Sequence, residues 1–294
     1  MTKPTRVVVT GASGFAGSHL VSCLAAMDFK VLALSRAPGN ALDRKNVTTA
    51  RMPDLADPRP AWEDILGSGD VVVHLAGLAH GAVDDPRHDV INHRGTARLA
   101  EAAATGSVER IILVSSIAAQ TGNTAAKVLS EADDPSPVSA YGRSKLEAER
   151  AVRDSGVPYT ILRPVVIYGE GAKGNPAALE RLARMPIPLP ISGLTARRSV
   201  LSVGNFSRAV LAVLTSEQAR NEVYLVADPL PLTVSEMVVR SRKLSGRRPG
   251  LIYVPPSLLK ALFVTFGLRS VWRRIGEPLV VSTDRLRSLG WTPQ

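Results

Sequence analysis

The sequence of 294 residues predicts a doubly wound α/β fold, a parallel sheet with helices on both faces, and three observations carry that prediction. Short runs that are apolar throughout recur along the N-terminal half, and strands of that kind are usually parallel and covered on both sides. Helix-length segments separate them in the order of β-α-β units. A glycine-rich turn joins the first strand pattern to the first helix pattern.

Arg6–Thr10 (RVVVT), Lys30–Leu34 (KVLAL), Val47–Met52, Asp70–Leu75 (DVVVHL), Arg110–Val114 (RIILV) and Tyr159–Leu162 (YTIL) read as strands. Between them, Phe15–Asp28, a short segment near Ala61–Leu66, Arg87–Thr105 and Ser139–Ser155 read as helices. Gly106 and Gly156 each follow a helix, where a cap of positive φ is expected. After Pro164 the character changes: Gly and Pro become frequent from Gly169 to Gly193, with MPIPLP at Met185–Pro190. A long loop inside a compact protein is usually functional. Smaller elements follow: helices Asn205–Thr215, Val234–Leu244 and Ser257–Phe266, and strands Glu222–Val226 and Leu251–Val254. The chain thus divides into a nucleotide-binding domain, 1–165, and a smaller substrate-binding region, 166–294, part of which returns to the main sheet.

Hydrophobic content of 45% and charged content of 21% are those of a globular protein with a real core. No run reaches the ~18 apolar residues of a membrane span; Leu258–Gly267 is apolar but short and interrupted by Lys260. The N-terminus has no secretory pattern, and a single cysteine, Cys23, rules out an internal disulfide, so a cytoplasmic setting is expected. Cys23 itself reads as a core residue. The net charge of +10 has its densest groups at Arg197-Arg198, Arg240–Lys243, Arg247-Arg248 and Arg273-Arg274. No helix-turn-helix or zinc-ligand pattern accompanies them, and aromatics are only 4%, so neither nucleic acid nor metal is expected. Anionic cofactors and substrates account for part of the charge, and attraction to membranes is a further way to use it.

The first strand runs into Thr10-Gly11-Ala12-Ser13-Gly14-Phe15-Ala16-Gly17. Gly11 permits a tight turn, Gly14 lets the backbone approach a pyrophosphate, and Gly17 lets the helix pack against the strand. The helix N-terminus then offers free N–H groups and the positive end of its dipole. Placed after a strand and before a helix, this is a Rossmann-type dinucleotide loop formed by Gly11, Ser13, Gly14, Phe15 and Gly17. The second strand ends Leu34-Ser35-Arg36. A carboxylate there would bind the ribose of NAD; Arg36 instead can pair with a 2′-phosphate, which favours NADP(H) and leaves NAD(H) as the alternative. Asp54 and Leu55 are placed to meet the adenine edge, and Leu75, Ala76 and Gly77 to lie against the cofactor.

Tyr141 and Lys145 stand four residues apart at the start of a helix, on one face. A phenol has a pKa of ~10, and a nearby ammonium is expected to lower it, which suits proton exchange with a carbonyl oxygen as hydride moves. Ser115 and Ser116 end the fifth strand and can supply a hydroxyl to the same oxygen.

TGASGFAG, HLAG (His74–Gly77), VSS (Val114–Ser116), YGRSK (Tyr141–Lys145), LRP (Leu162–Pro164) and the terminal Gly290, Trp291 and Pro293 occur in the order found in the extended short-chain dehydrogenase/reductases, and the sequence resembles that family of nucleotide-sugar epimerases, dehydratases and reductases. The resemblance implies that Tyr141 is the acid/base, that Lys145 also holds the nicotinamide ribose, and that Ser116 is the supporting hydroxyl, with Ser115 the second choice. It implies structural support from Asn92. Ser116 is followed by Ile117-Ala118-Ala119, without the acidic pair of the family's dehydratases, and the acid of the NAD-bound epimerases is missing after the second strand. A reductase fits both absences. The segment from Leu162 to Pro190 looks like the bacterial reductases of UDP-4-keto-6-deoxy-HexNAc sugars used in surface polysaccharides. In that pattern Asn175 and Arg198 would meet the diphosphate or sugar of the substrate, with Ser115 beside them. An epimerase and a non-catalytic NADP(H) sensor are the alternatives. The family often pairs through helices like Arg87–Thr105 and Ser139–Ser155, so a homodimer is left open.

Overall fold

A computed structural model describes residues 4–37, 45–79, 85–172 and 174–294. Its main sheet contains β1 (Arg6–Thr10), β2 (Val31–Ser35), β3 (Val47–Arg51), β4 (Asp70–His74), β5 (Arg110–Val114), β6 (Tyr159–Pro164) and a late strand, β9 (Glu222–Val226). All pair in parallel, in the order β3-β2-β1-β4-β5-β6-β9. Two short strands, β7 (Ile167–Tyr168) and β8 (Leu201–Ser202), form a separate parallel pair.

The apolar runs become strands because both faces are covered. Val7, Val8 and Val9 of β1 are wholly buried, odd and even residues alike. One face packs on α1 (Phe15–Ala26) and, later in the chain, α5 (Val203–Leu214); Val7, Val9, Leu20, Leu24, Phe206 and Val210 share that core. The other face packs on α2 (Gly95–Thr105) and α3 (Ala140–Asp154), with Val8, Leu99, Ile111, Ala148 and Val152. Residues 89–94, ahead of α2, form a π-helical turn; such wide turns interrupt helices at functional positions. This one turns Asn92 inward, where it is 1% exposed.

Three expectations differ from the structure. Ala61–Leu66 makes a single turn, with both Ile65 and Leu66 N–H on the Trp62 carbonyl, because Pro58 and Pro60 precede it and Trp62 and Leu66 need only one turn to reach the core. Leu251–Val254 is a lone bridge from Leu251 to Leu189 rather than a strand. Gly106 has φ −76°, and the positive φ falls on Ser107 at 54°, whereas Gly156 does adopt φ 76°.

The chain also holds α4 (Asn175–Arg184), α6 (Val234–Leu244), α7 (Pro256–Thr265), α8 (Arg269–Gly276) and the short α9 (Asp284–Arg287), whose Leu286 packs in the core of the main sheet. The stretch rich in Gly and Pro is therefore interrupted by α4. The N-cap of α4 is Gly174, at φ 69°. Capping at α6 is complete: the Thr233 hydroxyl accepts from the Glu236 N–H and the Glu236 carboxylate from the Thr233 N–H.

Candidate active site at the carboxyl edge of the sheet

The glycine turn has the geometry that a dinucleotide cradle needs. Gly11 sits at φ 69°, and a Cβ there would come within 2.9 Å of the Ala76 N. A Cβ at Gly17 would overlap the Gly11 carbonyl oxygen, so the helix start is pressed onto the turn and only glycine fits. Gly14 caps α1 without any side-chain bond, which leaves the first N–H groups of the helix for a phosphate. The residues present thus fit a pyrophosphate. Ser13 is exposed and Phe15 half-buried beside it.

Beyond this cradle lies a second turn, residues 75–78, fixed by buried polar groups. Thr10 Oγ1 accepts from the Ala76 N–H at 3.1 Å and lies 2.7 Å from His74 Nδ1, while His74 Nε2 lies 3.1 Å from Thr96 Oγ1. Thr96 Oγ1 in turn donates to the Asn92 carbonyl at 2.6 Å. Each hydroxyl has one proton to give, so the chain runs in one direction and assigns His74 as the neutral Nε2–H tautomer. Burial, with Lys145 adding repulsion, pushes its pKa down to about 3. A histidine that titrates near 6.5 when unfolded and near 3 when folded withholds protons that the unfolded chain accepts, so stability is retained above pH 6.5 and lost as pH falls below it. Unfolding free energy is expected to drop by about 1.4 kcal/mol per pH unit from this group below pH 6.5. Denaturant titrations at pH 7 and pH 5 should show that slope, and it should shrink by the same amount in His74→Gln.

Asn92 ties this turn to α3. Its Oδ1 accepts from the Leu78 N–H at 2.7 Å, and its Nδ2 donates to the Leu78 carbonyl at 3.0 Å and to Ser144 Oγ at 3.1 Å. A Cβ on Gly77 would lie 2.8 Å from Asn92 Oδ1 and 3.7 Å from Lys145 Nζ, so the turn and the Lys145 ammonium face each other with no room for a side chain. Asn92 thus bridges the 75–78 turn and α3, an arrangement that accords with the structural support the family resemblance implies.

Tyr141 meets Ser116, and Lys145 follows Tyr141 one turn along α3. Ser139 caps α3, accepting from the Gly142 N–H at 3.0 Å, and a Cβ at Gly142 would overlap the Ala118 carbonyl oxygen, so the helix start is pressed against the 117–119 turn that Ser116 opens. Ser116 Oγ accepts from the Ala118 N–H and also bonds the Tyr141 phenol. Lys145 is buried, with Nζ donating to the Val114 carbonyl at 2.9 Å. Burial lowers the Lys145 pKa to about 8, against the pull of Glu149. The expectation that Lys145 would depress Tyr141 is corrected: burial is the larger effect and raises the phenol above 10, with the Ser116 bond opposing it. The structure therefore holds Tyr141 as a proton donor through the neutral range. His88, buried and set edge-on to the Tyr141 ring at 5.6 Å between centroids, is a neighbour that no spacing in the sequence signalled. Its Nδ1 has no hydrogen-bond partner among the described residues.

Other predicted residues separate from this group. Ser115 points the opposite way from Ser116, donating to Glu149 Oε1 at 2.6 Å inside the sheet–helix core. Arg198 is clamped by backbone carbonyls, donating to Glu277 at 2.6 Å and to Asn123 at 3.0 Å, and burial lowers its pKa to about 10. It braces the walls of a cleft of about 510 Å³ whose lining includes Thr121, Ser136, Lys260, Arg269 and Arg273. The last three cations come from α7 and α8 and were missed because nothing in their spacing marks them as ligands. Asn175 and Arg36 are exposed. Asp54, exposed, accepts from the Ala56 N–H, and Leu55 is buried under Gly95. Leu75 is half-buried, Ala76 buried and Gly77 exposed. Among the described residues no group of His, Cys, Asp and Glu could hold a metal.

A parallel sheet, an uncapped glycine-turn helix and a Tyr-Lys-Ser set at the carboxyl edge of the strands define an enzyme of the extended short-chain dehydrogenase/reductase class. More particularly, the chain belongs to the NAD dependent epimerase/dehydratase family, whose model matches residues 7–227. It is 30% identical to a UDP-glucose 4-epimerase of Vibrio cholerae over 99% of this chain and 91% of that protein. It is 31% identical to a ceramide reductase of Caulobacter vibrioides over 98% of this chain and 86% of that one. Among solved structures, MoeE5 in complex with UDP-glucuronic acid and NAD superposes with a TM-score of 0.76 at 28% identity, covering 98% of this chain and 94% of that one.

Proposed function

We propose that this protein is an NADP(H)-dependent reductase of a 4-keto nucleotide sugar, of the UDP-4-keto-6-deoxy-HexNAc kind. The observation that carries the reading is a phenol, Tyr141, held protonated by burial, hydrogen-bonded to Ser116 and one helical turn from a buried ammonium. Ketone reduction needs that form, because the developing alkoxide must take a proton. The amides of the Gly11–Gly17 turn would hold the pyrophosphate, Arg36 the 2′-phosphate, and Lys145 the nicotinamide ribose. When bound, the nicotinamide supplies hydride. Tyr141 then gives its hydroxyl proton to the former carbonyl oxygen, Ser116 fixes that oxygen by hydrogen bonding, and Lys145 stabilises the phenolate left behind. The 117–119 turn carries no carboxylate, so elimination of water has no acid–base pair to run it.

The experiment is NADPH consumption with UDP-4-keto-6-deoxy-N-acetylglucosamine. Net oxidation in proportion to product supports the reading. The names of relatives favour a second reading, 4-epimerisation, in which sugar is interconverted with no net change in cofactor. Inversion of UDP-sugars without NADPH loss would establish it; inactivity with every 4-keto sugar would sink the reductase reading, and absence of UDP-sugar inversion as well would sink both. Arg36→Asp is expected to move preference from NADPH towards NADH by about tenfold or more, as loss of a charge-assisted bidentate bond implies; an unchanged ratio of kcat/KM for the two cofactors would show that Arg36 does not read the phosphate.

A further inference from the structure

Residues 237–276 contain nine basic residues and no acidic one, so this stretch supplies +9 of the chain's net +10. Within it, α7 (PSLLKALFVT) is apolar nearly all round, yet only Leu259 is buried. A soluble helix of that composition ordinarily lies inside a core. Leu259, Phe263 and Trp272 pin α7 and α8 to the body, and the outer side is left open. Leu258 is 61% exposed, Leu262 52%, Phe266 70% and Leu268 45%. Among the described residues, eight of the seventeen exposed large apolar side chains fall in residues 252–271, which makes this a patch rather than a scatter. Lys260, Arg269, Arg273 and Arg274 are exposed around it, and Lys260, Arg269 and Arg273 also line the cleft.

We propose that α7 and α8 form a docking surface for an anionic lipid bilayer, with the apolar side chains entering the headgroup boundary and the four cations facing lipid phosphates. Charge complementarity selects this occupant. A second copy packed on the same face by two-fold symmetry would set Lys260, Arg269, Arg273 and Arg274 against themselves, with Glu277 alone among the acids of the cleft lining to answer four cations. A bilayer answers both features at once, since interfacial helices pair an apolar face with a Lys/Arg flank. No helix among the described residues is long and apolar enough to cross a membrane, so the contact is with the surface. The cleft shares Lys260, Val264 and Arg269 with this surface, and docking would bring its lining alongside the headgroup layer.

The test is flotation of the whole protein with vesicles of phosphatidylcholine containing 30% phosphatidylglycerol, against pure phosphatidylcholine. Binding to the anionic vesicles alone, weakened by 0.5 M salt, is expected. Leu258→Glu/Phe266→Glu should weaken that binding by about tenfold or more while leaving NADPH affinity unchanged, since both side chains are exposed and neither belongs to the glycine turn. Absence of binding at low salt overturns the proposal, and so does binding that the double variant leaves intact. A concentration-dependent dimer abolished by the same variant, without vesicle binding, would assign the face to a second copy instead.

Discussion

Tyr141→Phe is expected to lower kcat by about 10²–10⁴, the range general acid catalysis contributes, with cofactor affinity unchanged. The ring stays, so its edge contact with His88 persists and the helix start is not disturbed. What is lost is one hydroxyl proton beside Ser116. Single-turnover measurements separate this from a binding defect, because a chemical loss persists at saturating substrate. The pH profile adds a distinguishing mark. The free enzyme's Lys145 loses its charge near pH 8, whereas Tyr141 keeps its proton above 10, so kcat/KM for reduction should decline on a basic limb near 8. A limb above pH 10 would assign the control to the phenol, and a Tyr141→Phe enzyme as fast as the wild type would remove the acid from its assigned role.

The second large effect is on stability. Arg163 and Glu149 are nearly sealed from water, with Nε and Nη2 of the guanidinium 2.9 and 2.7 Å from the two carboxylate oxygens. Arg163→Met leaves Glu149 with the Ser115 hydroxyl and a longer contact to Arg153 at 3.3 Å. Removing one partner of a buried pair typically costs about 3–5 kcal/mol, because the remaining charge stays desolvated. The midpoint of thermal unfolding should fall by roughly 6–10 °C. Adding Glu149→Leu should restore much of it, since replacing both partners removes the stranded charge. If the single variant melts within a degree of the wild type, the pair contributes little. The pair ties β6 to α3, and Glu149 also accepts from Ser115 at the end of β5, next to Ser116, so activity should fall with stability in the single variant.

Much of this was legible from residues alone. Fully apolar runs located the parallel strands to within a residue or two, because burial on both faces leaves no alternation to misread. The glycine turn and the Tyr-Lys spacing were legible because each depends on local geometry. What escaped depends on distant partners. Ser115 and Ser116 are adjacent and equally plausible in sequence; only the position of Glu149, 34 residues on, decides which hydroxyl turns inward. Arg198 reads as a ligand in sequence, and only the fold shows that the carbonyls of Asn123 and Glu277 also hold it. The phenol–ammonium coupling was overestimated because burial, a tertiary quantity, outweighs it. The basic groups looked scattered along the chain, and the patch on α7 and α8 appears only once the fold shows which of their apolar residues stay outside.

The placement of β9 has a consequence for synthesis. The main sheet is finished by residues 222–226, laid beside β6 only after more than fifty intervening residues. While a nascent chain is still short of that point, β6 is an open apolar border with Ile161 and Leu162 lacking their neighbours. Such a border invites pairing with another unfinished chain. A fragment halted at residue 165 should therefore cluster, whereas one extended through residue 227 should close its own edge.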